Sequence, residues 1–227
     1  MIEGPLPLAA GSAAAFNDEA ERYEAWYDTP RGGMLLDIEI RCVRPLMEKL
    51  ARPRLEVGLG TGRFGEALGV RYGLDPSWEA LGRAQARGIE VVLGVGEHLP
   101  FRTCSFGAVL VAFTLCFVQD PRLVLREIRR VLVPGGGHVL GFLPRGTSWA
   151  DLYARRGAEG HPIYRTARFY AKEDVDALLS EAGLQIIERR STLFQPPGLA
   201  VYEPEEALEG HHEGAGFLAV RATKPAA

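Results

Sequence analysis

The chain has 227 residues, 47% hydrophobic and 24% charged, with a net charge of −3. That balance excludes a disordered or fibrous chain and suits one globular domain with a substantial core. No block of like charge marks a nucleic-acid binder, and the longest uncharged apolar run, 106–118, is too short to span a bilayer.

In chain order, the N-terminus carries no Lys or Arg before Arg22, so no secretory signal is expected and a cytoplasmic protein is. Residues 12–50 read as two helices separated by Thr29-Pro30-Arg31-Gly32-Gly33. Leu55–Val57 is a short apolar strand that runs into Gly58, Gly60 and Gly62, with Glu56 just before them. A short helix then reaches about Gly69, and Tyr72–Asp75 forms a second strand. Pro76 and Ser77 open a helix that runs to Arg87 and is stopped by Gly88. Ile89–Leu93 is the third strand, and Ala108–Phe113, wholly apolar, suits a strand buried on both faces of a parallel sheet. Pro121 begins an amphipathic helix that Pro134-Gly135-Gly136-Gly137 ends, before a fifth strand at Val139–Leu143.

Beyond that point the βα alternation breaks. Residues 144–170 read as irregular, Lys172–Ala182 as a helix, Leu184–Phe194 as a strand, 195–214 as a long loop and Gly216–Thr223 as a last strand. Repeated βα units imply a doubly wound α/β sheet. The organisation is a single domain, with a helical lid over 12–50, a ligand-binding core over 51–143 and a substrate-side portion over 144–227.

The glycine loop carries the chemistry. Glycines on alternate positions let a backbone turn sharply and let a ligand lie against it. Glu56 selects among ligands, because its carboxylate repels phosphates and attracts a cation. Gly60-x-Gly62-x-x-Gly65 also fits the dinucleotide fingerprint, with Asp75 near the place of a ribose-binding acid. That reading stays open as an NAD-dependent oxidoreductase.

Cys42, Cys104 and Cys116 have no metal-ligand spacing and read as thiols of a reducing compartment. The histidines form no complete metal-ligand set, so no metal is expected. Arg126, Arg129 and Arg130, like Arg189 and Arg190, read as solvated faces. Arginine greatly outnumbers lysine, which fits a hot habitat or a GC-rich genome.

Five motifs occur in order. They are Glu56-x-Gly58-x-Gly60-x-Gly62, Gly73-Leu74-Asp75-Pro76-Ser77, Gly94 through Phe101, Arg126 through Gly137, and Tyr23-x-x-Trp26-Tyr27-x-Thr29-Pro30-x-Gly32. Together they resemble the class I S-adenosylmethionine-dependent methyltransferases, in the small-molecule group that includes ubiquinone/menaquinone-biosynthesis-type enzymes. The resemblance is good over residues 16–143 and looser beyond.

It implies a Rossmann-like, mostly parallel seven-stranded sheet with an antiparallel last strand. The implied cofactor is S-adenosyl-L-methionine, with S-adenosyl-L-homocysteine as product. Glu56, Gly58, Gly60, Gly62, Asp75, Pro76, Gly96, Glu97 and Phe113 would form its site. Glu56 would meet the aminoacyl end, Asp75 the ribose hydroxyls and Pro76 the adenine. Two positions depart from the family pattern: Val95, where an acid often contacts the adenine amino group, and Gly107, where an Asp usually opens the fourth strand.

The acceptor is expected to be a small molecule. The Asn/Asp-Pro-Pro-Tyr/Phe and Pro-Cys signatures of nucleic-acid or glutamine methylation are absent from the sequence. Tyr23 and Tyr27 of the lid, and His161 and His211 of the two long segments, are candidate catalytic residues. His212 accompanies His211 in a polar hairpin tip, and Arg145, Arg155, Arg156, Arg165 and Arg168 could meet an anionic acceptor. A non-catalytic S-adenosylmethionine-binding protein is the other reading.

Overall fold

The computed structural model describes residues 10–226. Two helices lead, α1 (Ala10–Tyr27) and α2 (Pro30–Glu48), and the break between them is shorter than expected. Thr29 caps α2, its side chain accepting from the Gly32 amide across 3.0 Å, and Pro30 fits the first turn. Gly32 and Gly33 therefore belong to the helix rather than to a linker.

The core alternates as β1 (Arg54–Val57), α3 (Arg63–Leu68), β2 (Tyr72–Asp75), α4 (Trp78–Ala86) and β3 (Glu90–Leu93). It continues with β4 (Phe106–Ala112), α5 (Pro121–Val131) and β5 (Leu132–Phe142). Caps explain the helix starts: Ser77 accepts from the Ala80 amide, and Asp120 accepts from the Arg122 and Leu123 amides. Val124, Leu125, Ile128 and Val131 of α5 are wholly buried. Each such side chain stabilises the fold by roughly 1.5–3 kcal/mol.

The C-terminal portion comprises α6 (Ser148–Ala158), α7 (Lys172–Glu181), β6 (Gln185–Thr192), β7 (Leu208–Glu209) and β8 (Phe217–Thr223). The sheet has eight strands in the order β3-β2-β1-β4-β5-β8-β6-β7. The first five run parallel, and β8 is antiparallel to both β5 and β6. The strand expected to be antiparallel is so. The eighth strand is β7, two residues pairing with Arg190 and Ser191 inside what reads as a loop. A pair so short leaves no alternation in the sequence.

Residues 144–170 are not wholly irregular. Thr147 caps α6 by accepting from the Ala150 amide, and a 3₁₀ turn follows at Tyr164–Thr166. Trp149, Leu152 and Tyr153 carry helical spacing that Arg155, Arg156 and Gly157 obscure. Likewise Pro134–Gly137, expected to end the helix ahead of the strand, lies within β5 itself. Phe106 pairs with Leu132 and Ala108 with Gly137, so the intervening residues form a bulge in β5.

Arg130 is not a solvated residue of α5. Its guanidinium donates to the Leu99 and Phe101 carbonyls at 2.9 and 2.8 Å, while Glu127 accepts from the Leu99 amide. Arg189 pairs with Asp176 and Arg190 donates to the Ala207 carbonyl, whereas Arg126 and Arg129 are exposed as expected. Gly107 has a packing reason: a Cβ there would meet the Ala51 backbone at 2.7 Å, leaving no room for the usual acid.

Successive connections wind outward from β1 toward β3 and from β4 toward β5, so the topology reverses between β1 and β4. Ligands of open α/β sheets bind beyond the strand ends at such a point.

Candidate functional site

A cavity of about 370 Å³ opens at that edge. One half is built by the ends of β1 and β2 and the segments that follow them and β3: Glu56 through Gly62, Asp75, Pro76, and Val95 through Glu97. The other is built by the α1 and α2 lid, by Phe113–Gln119 after β4, and by α6 with its 3₁₀ turn.

In the first half, Glu56 is 2% exposed, and among the described residues its Oε2 has no hydrogen-bond partner. Burial pushes this carboxyl well above the ordinary range, the Asp75 charge adds to the rise, and the Gly65 amide opposes it. Asp75 ends β2, and burial raises it too, against the amides of Ser77 and Gly60 that donate to it, each across 2.8 Å. Asp75 is therefore not the helix cap. That place belongs to Ser77.

The glycines serve different ends. A Cβ on Gly58 (φ +76°) would overlap the Thr114 side chain, which itself donates to the Gly58 carbonyl. Gly60 (φ +54°) faces open space, with nothing within 4 Å of a Cβ built on it. Gly60 is the bare floor against which a ligand can lie; Gly58 serves packing. Gly62 and Gly96 line the same cavity.

Glu97 lines the cavity as well, but its carboxylate accepts from the Gln119 and Asp120 amides, tying this turn to the loop before α5. Phe113 lies where β4 ends, in a left-handed conformation (φ +54°) unusual for an aromatic residue. Its amide donates to the Gly141 carbonyl, and its ring packs near Phe64 and Phe217. Such strain persists where the surroundings over-determine it, often at a site.

The lid is fastened to the core. Glu24 pairs with Arg63 and Arg87, Asp28 with Arg63, and the Ser77 hydroxyl donates to Asn17. Tyr23 and Tyr27 join hydroxyl to hydroxyl at 2.8 Å, and burial raises both phenols. His161 lines the cavity beside Tyr164, with burial lowering its pKa and Nδ1 lacking a partner. His211 does not line it: it is exposed on the segment after β7, and the neighbouring His212 ring contacts the Glu209 carbonyl. Arg156 reaches the cavity; Arg145 instead pairs with Asp174.

Sequence reasoning missed Glu39, Tyr153, Tyr164 and Cys116, all of which line the cavity. Burial pushes the Cys116 thiol up to about 12. Glu39 left a signal: it stands one turn after Leu35 and one turn before Val43, an acid placed on the apolar stripe of α2.

The first half thus presents two carboxylates at the glycine loop, while the adjacent cation Arg63 is committed to Glu24 and Asp28. A pyrophosphate would face repulsion here. A cationic ligand with a hydroxylated portion fits: Glu56 Oε2 lacks a partner, and the space above Gly60 is bare.

The family profile described as methyltransferase domain matches residues 55–140. An uncharacterized protein of Mycobacterium tuberculosis is 55% identical over 96% of this chain and 76% of its own length. A crystal structure from Thermotoga maritima, described as an S-adenosylmethionine-dependent methyltransferase and possible histamine N-methyltransferase, superposes with a TM-score of 0.84. Its identity is 31%, over 94% of this chain and 99% of that one. A demethylmenaquinone methyltransferase of Paenarthrobacter aurescens is 28% identical over 62% of this chain and 59% of its own length.

Proposed function

This chain belongs to the class I S-adenosylmethionine-dependent methyltransferases, and from that premise we propose that it methylates a small organic acceptor. The observation that carries the reading is the buried Glu56 Oε2, without a hydrogen-bond partner among the described residues, beside the bare floor at Gly60.

When bound, S-adenosylmethionine supplies a methyl group on a cationic sulfur, open to in-line displacement. Glu56 would hold the ammonium of its aminoacyl end by charge attraction in a poorly solvated setting. Asp75, already fixed by two amides, has remaining lone pairs for the ribose hydroxyls. Pro76 would pack on the adenine. With Val95 in place of an acid, the backbone at Gly96 and Glu97 would meet its edge.

The acceptor enters the other half, below Tyr23 and Tyr27. A lid fastened at Glu24 and Asp28 excludes water and orients the nucleophile. Such orientation supplies up to about 7–11 kcal/mol of a barrier. The acceptor half is a cavity rather than a collapsed core, which supports a transferase over a protein that only binds the cofactor. Among the described residues no helix is long and apolar enough to cross a membrane, and we assign the protein to the cytoplasm.

Isothermal titration with S-adenosylhomocysteine and with NAD tests the reading. Binding of the first without the second is expected. Tight NAD binding with no response to S-adenosylhomocysteine would overturn it.

A further inference from the structure

Among the described residues the acceptor half contains a buried acid with no counter-ion, while the exposed Arg156 at its rim lies over the Tyr153 ring at 5.6 Å. Glu39, on α2, is 7% exposed and lines the cavity. Among the described residues no cation pairs with its carboxylate and no hydrogen bond reaches it, and burial alone pushes its carboxyl well above the ordinary range.

Four tyrosines from three elements line the same cavity. They are Tyr23 and Tyr27 of α1, Tyr153 of α6 and Tyr164 of the 3₁₀ turn, and the charge of Glu39 raises all four phenols in addition to their burial. The Tyr23 and Tyr27 rings meet edge to face at 5.0 Å, and Tyr153 and Tyr164 lie 4.6 Å apart. Cys42, on the same helix, also feels its charge. Arg31, two turns before Glu39, is no counter-ion, since its guanidinium lies over the Tyr202 ring at 5.8 Å.

An unpaired carboxylate in such surroundings is costly unless it takes a proton or meets a cation. Aromatic walls attract cations through their ring faces. A neutral alcohol would leave a proton as the sole answer to that charge, whereas an ammonium ion would answer it directly. Glu56 serves the donor at the opposite half of the cavity, so a second cation is called for.

Resting on the methyl-transfer reading above, we infer that the acceptor is an amine entering as its ammonium ion, and that Glu39 is the carboxylate that receives it. Glu39 then takes one ammonium proton. The N–H bond breaks, its electron pair stays on nitrogen as the lone pair of the nucleophile, and an O–H bond forms on the carboxylate. A carboxyl held above its ordinary range by burial is suited to that exchange.

The test titrates the full chain, saturated with S-adenosylhomocysteine, with two amines and their neutral isosteres: 2-phenylethylamine against 2-phenylethanol, and n-hexylamine against 1-hexanol. For at least one pair the amine is expected to bind tenfold tighter or more. In Glu39→Gln that ratio should fall toward one, with S-adenosylhomocysteine affinity held within about twofold. A ratio near one for both pairs in the unmodified protein overturns the inference, as does a ratio that survives Glu39→Gln. Should that variant fail to fold, the unmodified protein and Glu39→Asp decide it, a preference independent of the carboxylate's reach being the contrary result. Failure of S-adenosylhomocysteine itself to bind would instead strike the methyl-transfer reading.

Discussion

The carboxylate of Asp75 accepts the Gly60 amide across 2.8 Å, so the end of β2 sets the conformation of the loop after β1. Its other oxygen accepts from Ser77, which caps α4. One side chain thus couples the glycine loop, the expected ribose contact and a helix start. Asp75→Ala should leave two amides without partners and destabilise the fold by about 1–3 kcal/mol. S-adenosylhomocysteine affinity should fall tenfold or more, while Asp75→Asn keeps part of both. Denaturant titration and calorimetry check the pair; unchanged affinity in the alanine variant would remove Asp75 from the site.

Glu56→Gln separates binding from stability. S-adenosylhomocysteine should bind at least tenfold more weakly, or about 1.4 kcal/mol, because the ammonium loses its counter-charge. Without ligand the sign reverses. Burial raises the folded-state pKa of Glu56, so its contribution is most favourable below the ordinary carboxylate range and is lost as pH rises toward the folded value. Relative to the unmodified protein, the Gln variant should gain Tm as pH increases from about 4. Thermal melts across pH measure it, and a difference independent of pH contradicts the assignment.

Gly58→Ala and Gly60→Ala should part company. The first places a methyl group into Thr114 and should destabilise the fold strongly. The second meets no neighbour, so it costs about 1–2 kcal/mol of left-handed backbone strain while filling the cavity floor. Near-native stability with at least tenfold weaker S-adenosylhomocysteine binding is the expected pattern for Gly60→Ala. Calorimetry and melting of the two variants side by side distinguish floor from packing.

Glu24 should hold the lid in a pH-dependent way. Burial works to raise its carboxyl, but hydrogen bonds with Arg63 and Thr61 and the charge of Arg87 outweigh burial and lower it. Its stabilisation is therefore present above the ordinary carboxylate range and is lost as pH falls through the folded value. Glu24→Gln should speed amide exchange within α1 about tenfold or more at pH 7 and leave β4 and β5 protected. Hydrogen exchange resolved by segment reads this, and uniform protection would mean that the lid is held elsewhere.

Much of the donor half was legible because its determinants are local. Glu56, the alternating glycines and Asp75 each sit at a strand end, and their spacing survives in one dimension. The same holds for Ser77, whose place before α4 marks a helix start. By contrast, His161 and His211 looked alike, each a histidine in a long segment. Only the packing of α6 and its 3₁₀ turn over the cavity, with the β7 hairpin at the far sheet edge, separates them. Arg130 likewise resembles its neighbours Arg126 and Arg129 until the Leu99–Phe101 turn arrives beneath it.

By itself the amino-acid sequence determined the βα alternation and the glycine loop with its acid, since hydrophobic period and turn chemistry act between near neighbours. Tertiary structure alone decided that Gly58 packs while Gly60 floors the cavity. It also decided that Glu39 lies buried, without a counter-ion among the described residues, in a cavity shared with tyrosines from three elements. Burial and the approach of distant charges depend on distances through space, and those exist only once the sheet has assembled and the lid has closed over it.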